Sequence, residues 1–103
     1  MNYQTTMLEN VNIMEGDVIE DSKSPFCCTV KKIKEDSVEF SEIQYSHPVE
    51  ITMFALKAFE VLKKKLNVSS VNFIMRRGCI RIDEHTREKQ LYHELINKDT
   101  GNW

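Results

Sequence analysis

Residues Pro48 to Leu66 read PVEITMFALKAFEVLKKKL, and the period of this stretch decides the fold. Ala55, Ala58, Phe59, Leu62 and Leu66 recur at three- and four-residue spacings. Ile51, Phe54 and Val61 widen that stripe, while Met53, Lys57, Glu60 and Lys64 fall on the opposite side. This is the pattern of an amphipathic α-helix. Its apolar face must be covered, because burying Phe59 or Leu62 stabilises by about 1.5–3 kcal/mol each, in a domain whose total stability is about 5–15 kcal/mol. Thr52 is expected to be the N-cap, its hydroxyl accepting an orphan helix N–H, with Val49 and Glu50 allowing an earlier start. Glu60 and Lys64 form a favourable i,i+4 pair, Lys63, Lys64 and Lys65 sit at the negative end of the helix dipole, and Asn67 can close the helix in a left-handed conformation.

Upstream of the helix the pattern is short and alternating. Met1 to Asn10 shows no clear period and reads as a tail, or as an edge strand if Tyr3, Met7 and Leu8 find a partner. From Val11, short apolar runs are punctuated at Glu15-Gly16-Asp17 and at Ser22 to Pro25. The run Phe26 to Ile33 puts Phe26, Cys28 and Val30 on one face and Cys27, Thr29 and Lys31 on the other. Lys34 to Ser37 reads as a turn, after which Val38 and Phe40 alternate with Glu39 and Ser41, and Ile43 with Tyr45 extend the pattern. Residues 11–46 therefore predict a small antiparallel sheet, curled like an SH3-type barrel and ended by His47-Pro48.

Downstream, Val71 to Asp83 predicts a β-hairpin turning at Arg77-Gly78, with Met75 opposite Ile80 and Phe73 opposite Ile82 on one face. Ile74 then faces Arg81, and Asn72 faces Asp83, on the other. Thr86 is expected to cap a second helix over 86–98, with Leu91, Leu95 and either Tyr92 or Ile96 as its stripe and Gly101 ending it. The whole reads as one α+β domain in the order strands, helix, hairpin, short helix.

The bulk properties narrow the function class. With 103 residues, 41% hydrophobic and 29% charged, the chain has the make-up of one globular domain. No apolar run approaches the roughly 20 residues of a membrane span, and the N-terminal residues have no basic n-region followed by an apolar core, so a cytoplasmic protein is expected. Cys27, Cys28 and Cys79 are odd in number and form no C-x-x-C pair, which predicts reduced thiols, neither a disulfide framework nor a zinc knuckle. Residues 1–50 hold ten acidic against four basic side chains and residues 51–103 hold six against ten, so the two halves differ in charge sign.

The order of parts is similar to that of small uncharacterised proteins encoded by phages and prophages of Bacteroides-type bacteria. The matching residues are Gly16-Asp17-Val18, Val30 to Ile33, the Pro48 to Leu56 entry into the helix, and Leu91-Tyr92 with Leu95. The likeness covers most of the chain in order and little of it in identity. Thr86-Arg87-Glu88-Lys89-Gln90 stands where such proteins tend to carry a His-Gln-rich approach to the Leu-Tyr pair. What the resemblance implies is a context: short phage proteins of this size mostly bind host machinery, among them inhibitors of host nucleases of the anti-CRISPR kind.

No stretch carries a catalytic or cofactor signature. His85 and His93 stand about 80° apart on an ideal helix with Glu84 and Glu94 beside them, but His85 precedes the expected cap and no i,i+4 ligand pair exists. No Ser or Cys stands at a nucleophile elbow. The expectation is a non-enzymatic protein with no cofactor and no metal. Its candidate binding residues are Lys63, Lys64, Lys65, Arg76, Arg77, Arg81 and Arg87, with Lys89 beside them, together with Tyr92 and Trp103. Arginine and aromatic residues anchor protein interfaces, so one reading is docking on a host protein or nuclease–RNA complex. The other is RNA or single-stranded DNA binding, the cations on backbone phosphates and Tyr92 or Phe73 stacking on bases. The acidic first half, with Glu15, Asp17, Glu20, Asp21, Glu35, Asp36, Glu39 and Glu42, offers a third mode, in which carboxylates mimic nucleic-acid phosphates.

Overall fold

Proline 48 opens the long helix, at the first helical position where a missing N–H is no loss. The computed structural model describes residues 5–9, 12–20, 27–44, 47–75 and 78–97. They form β1 (Thr5–Met7), β2 (Val18–Glu20), β3 (Cys27–Ile33), β4 (Ser37–Gln44), α1 (Pro48–Leu66), β5 (Ser70–Met75), β6 (Gly78–Ile82) and α2 (Glu88–Leu95). The chain is thus α+β, with strands, helix, hairpin and short helix in the expected order. Among the described residues no helix is long and apolar enough to cross a membrane.

All six strands join one sheet in the order β1-β2-β3-β4-β5-β6. The β2-β3-β4 meander is antiparallel, as the alternation predicts. Two register shifts, between Cys27 and Thr29 and between Val30 and Lys32, mark bulges that bend β3 against β4. The hairpin β5-β6 extends the same sheet, because β5 pairs parallel to β4 and α1 is the crossover between them. At the far edge β1 lies parallel to β2, so the edge-strand alternative for the N-terminal segment is realised. Its connection to β2 packs inward through Leu8 (1% exposed) and Ile13 (7%), and Glu9 reaches Lys57 of α1 at 2.8 Å.

Both helices cover one face of the sheet. Ile51, Phe54, Ala55, Ala58 and Leu62 of α1 are buried against Val38, Phe40, Val71, Phe73, Ile80 and Ile82. Phe40 stacks on Phe73 with ring centroids 5.1 Å apart, and Phe54 meets both edge-on at 6.5 and 6.0 Å, spacings typical of attractive aromatic pairs. Leu91 and Leu95 of α2 complete the layer.

Three local expectations are corrected. The N-cap of α1 is His47, whose Nδ1 accepts the Val49 N–H at 3.2 Å, whereas Thr52 is buried one turn inside the helix. The ladder pairs Met75 with Gly78, Phe73 with Ile80 and Val71 with Ile82, so Gly78 (φ +133°) uses its backbone freedom as the first strand residue. This offset of two residues preserves the faces, since side chains alternate with a period of two. Thr86 does not cap α2: Arg87 holds the N-cap position and the Thr86 hydroxyl binds Asp83 instead. The helix closes at Leu95, where the Ile96 N–H donates to the carbonyls of Tyr92 and His93. The C-cap of α1 is as expected, with Asn67 left-handed at φ 58°. Gly101 lies outside the described residues, as do Phe26 and Tyr45.

Candidate functional site

The turn leaving β6 is built by Asp83. Its carboxylate Oδ1 accepts the His85 N–H at 2.9 Å and the Thr86 hydroxyl at 3.3 Å, its N–H donates to Thr86 Oγ1 at 3.1 Å, and its carbonyl accepts the Thr86 N–H at 3.1 Å. The His85 N–H, then the Thr86 hydroxyl and the nearby Arg81 charge, hold the Asp83 carboxyl below its ordinary range. Glu84 follows on an exposed backbone.

Three of the cations singled out in the sequence gather on this turn. Arg81 Nε stands 3.7 Å from Asp83 Oδ2, and Lys63 Nζ reaches Glu84 Oε2 at 3.2 Å. Arg87 Nη1 donates to the Glu84 carbonyl at 3.2 Å. Lys63 also lies over the Phe59 ring, 5.6 Å from its centroid, so its stem is laid along the core rim while its ammonium stays wet. All these side chains remain solvent-accessible, and such surface pairs contribute only about 0–1 kcal/mol each. Their effect is on the pattern of charge: three cations are interleaved with two carboxylates. Lys64 and Lys65 are exposed in the last turn of α1, and Lys89 is exposed in the first turn of α2. Arg76, Arg77 and Trp103 lie outside the described residues.

Tyr92 is elsewhere. It is half-buried in a groove of about 410 Å³ between α1 and α2, with Val49, Thr52, Met53, Glu88 and Lys89. Val49 and Lys63 are about 21 Å apart along α1 at 1.5 Å per residue, so the α1 wall of this groove is remote from Lys63, while Arg87 directly precedes Glu88 on the α2 side. Phe73 is only 1% exposed and stacks on Phe40, which removes it as a base-stacking residue. The apolar ridge of this groove, Val49 and Met53, was not foreseen; its signal was two apolar residues at i,i+4 on the otherwise polar side of the helix.

Several acidic residues of the first half have internal roles. Glu15 Oε2 accepts the Ile33 N–H at 2.8 Å, buried Asp17 accepts the Met14 N–H at 2.9 Å, and Glu39 pairs with Lys34 at 2.6 Å. Asp36 Oδ2 accepts the Ser69 hydroxyl at 2.6 Å. Glu20 and Glu35 are exposed, and Asp21 and the Glu42 side chain lie outside the described residues. Among the described residues, the carboxylates of Glu15, Asp17, Asp36 and Glu39 therefore serve turns and strand edges. Among the described residues, no three His, Cys, Asp or Glu side chains come together as a metal-holding group.

Compared with protein-family models, with curated proteins and with solved structures, the chain matches none.

Proposed function

We propose that this chain is a small non-catalytic binding protein that docks on a larger protein or ribonucleoprotein through the mixed-charge edge around Asp83 to Arg87. The observation that carries the reading is the convergence of Lys63, Arg81 and Arg87 on one turn that also presents Asp83 and Glu84. A nucleic-acid backbone is bound by cations that release its counterions, and here it would meet two carboxylates among three cations. A protein surface bearing both signs is matched by such interleaving, which fixes orientation and rejects wrong partners more than it adds affinity. An inhibitor of the phage type, acting by occupying a surface of a host nuclease, is the setting this chemistry fits. RNA or single-stranded DNA binding is the alternative, resting on exposed Lys64 and Lys65.

The test is affinity capture from a bacterial lysate, with and without nuclease treatment, using the native chain and a Lys63→Glu/Arg87→Glu variant. The proposal expects a discrete protein or complex retained by the native chain and lost by the variant. Recovery of no protein above background, or of nucleic acid alone with an equal band shift at low salt, overturns it.

A further inference from the structure

The start of α1 hangs on one imidazole. Pro48 has no N–H, the Val49 N–H donates to His47 Nδ1 at 3.2 Å, and the Glu50 N–H donates to the His47 carbonyl at 3.0 Å. Every backbone donor at the first three helical positions therefore ends on His47. The side chains preferred at a helix N-cap, Ser, Thr, Asp and Asn, accept through oxygen at any pH near neutrality. An imidazole nitrogen accepts only while it carries no proton. Once protonated, the ring donates from both nitrogens and adds positive charge at the positive end of the helix dipole.

We infer that His47 is a proton-sensitive cap: the neutral ring holds the first turn of α1, and the protonated ring releases it. The charged groups around it are Glu50 in the same turn and, across the groove that Val49 lines, Glu88 and Lys89 of α2, which offset one another. Glu50 attracts a protonated ring, but that attraction gives the Val49 N–H no acceptor. The cap bond favours the neutral ring in the folded chain. Its stabilisation is therefore complete above the range in which histidine titrates, at about pH 6.5, and is lost as pH falls through that range. Because the bond is exposed, water takes over the freed N–H, and the outcome is a loosened turn with the rest of the fold intact. Val49 stands in that turn, so the release reaches the α1 wall of the groove between the helices.

Thermal melts of the full chain at pH 8 and pH 5 test the inference, with His47→Asn as a cap that does not titrate and His47→Ala as an absent one. The native chain should melt at least about 2 °C above His47→Ala at pH 8 and level with it at pH 5, whereas His47→Asn keeps its margin at both. His85 and His93 are common to all three chains, so their titration cancels in the differences. In nuclear magnetic resonance spectra, the Val49 amide shift should follow the same transition in the native chain and stay flat in His47→Asn. No native margin at pH 8, or a margin equal at both pH values, overturns the inference. So does a margin that grows toward pH 5, the result expected if Glu50 held the charged ring in place, or a native Val49 amide indifferent to pH.

Discussion

Ser69 and Asp36 are joined through side chain and backbone: the Ser69 hydroxyl donates to the Asp36 carboxylate at 2.6 Å and lies 3.4 Å from its carbonyl, and the Ser69 N–H donates to that carbonyl at 2.9 Å. The bond ties the turn between β3 and β4 to the exit of α1, one residue before the parallel pairing of Ser70 with Ser37 begins. Parallel pairing has no local turn to set its register, so this clamp acts together with the buried pairs Val38–Val71 and Phe40–Phe73. Ser69→Ala is expected to cost about 1 kcal/mol in denaturant unfolding. Adding Asp36→Ala should cost little more, since both substitutions remove the same side-chain bond.

The stacked rings of Phe40 and Phe73, capped by Phe54, are the centre of the core. Phe54→Ala removes the helix ring that meets both sheet rings and is expected to cost about 3–5 kcal/mol, a large part of a stability of about 5–15 kcal/mol. Equilibrium unfolding in urea checks this, and a Phe54→Leu variant should recover part of the loss.

The Asp83 turn gives stability an acid limb. Its carboxyl is held below the ordinary value, chiefly by the His85 N–H, so the ionised form is favoured in the folded state. A depressed carboxyl contributes its full stabilisation above its unfolded pKa of about 3.9 and loses it as pH falls through the lower folded value. Thermal melts between neutral pH and strong acid should therefore fall less steeply at the acid end for Asp83→Asn than for the native chain. Equal acid limbs would contradict the role given to this carboxylate.

Thiol reactivity divides by face. Burial, and then the neighbouring Cys27, push the Cys28 thiol far up, so it stays protonated in the core, whereas Cys79 is exposed on β6. Since the thiolate is the nucleophile, native-state labelling with N-ethylmaleimide followed by mass spectrometry should modify Cys79 first and leave Cys28 unmodified until the protein is denatured.

How much of this was legible beforehand depended on whether the signal was local. The bounds of α1 could be read because its stripe, its Pro48 start and the Asn67 stop are all local and agree with one another. The cap itself misled: Thr52 has a good capping hydroxyl, but Pro48 at the first helical position already fixes the start and leaves His47 to accept the Val49 N–H. The faces of the hairpin were readable and its register was not, because alternation encodes parity while the offset depends on where Gly78 spends its backbone freedom. The parallel joining of β4 to β5 had no signature in either strand, being set across the length of α1. At the site, the basic residues stood out one by one. Their common seat on Asp83 and Glu84 appears only once α1, β6 and the following turn are brought together.

The proposed docking edge is tested most directly by a photo-reactive amino acid placed at Gln90, exposed beside Asp83, His85 and Thr86, with irradiation in bacterial cells expressing the protein. Docking through this edge should give one discrete protein adduct, unchanged by ribonuclease and lost when Lys63→Glu/Arg87→Glu is introduced. Adducts to nucleic acid only, or a protein adduct indifferent to those two reversals, would contradict it.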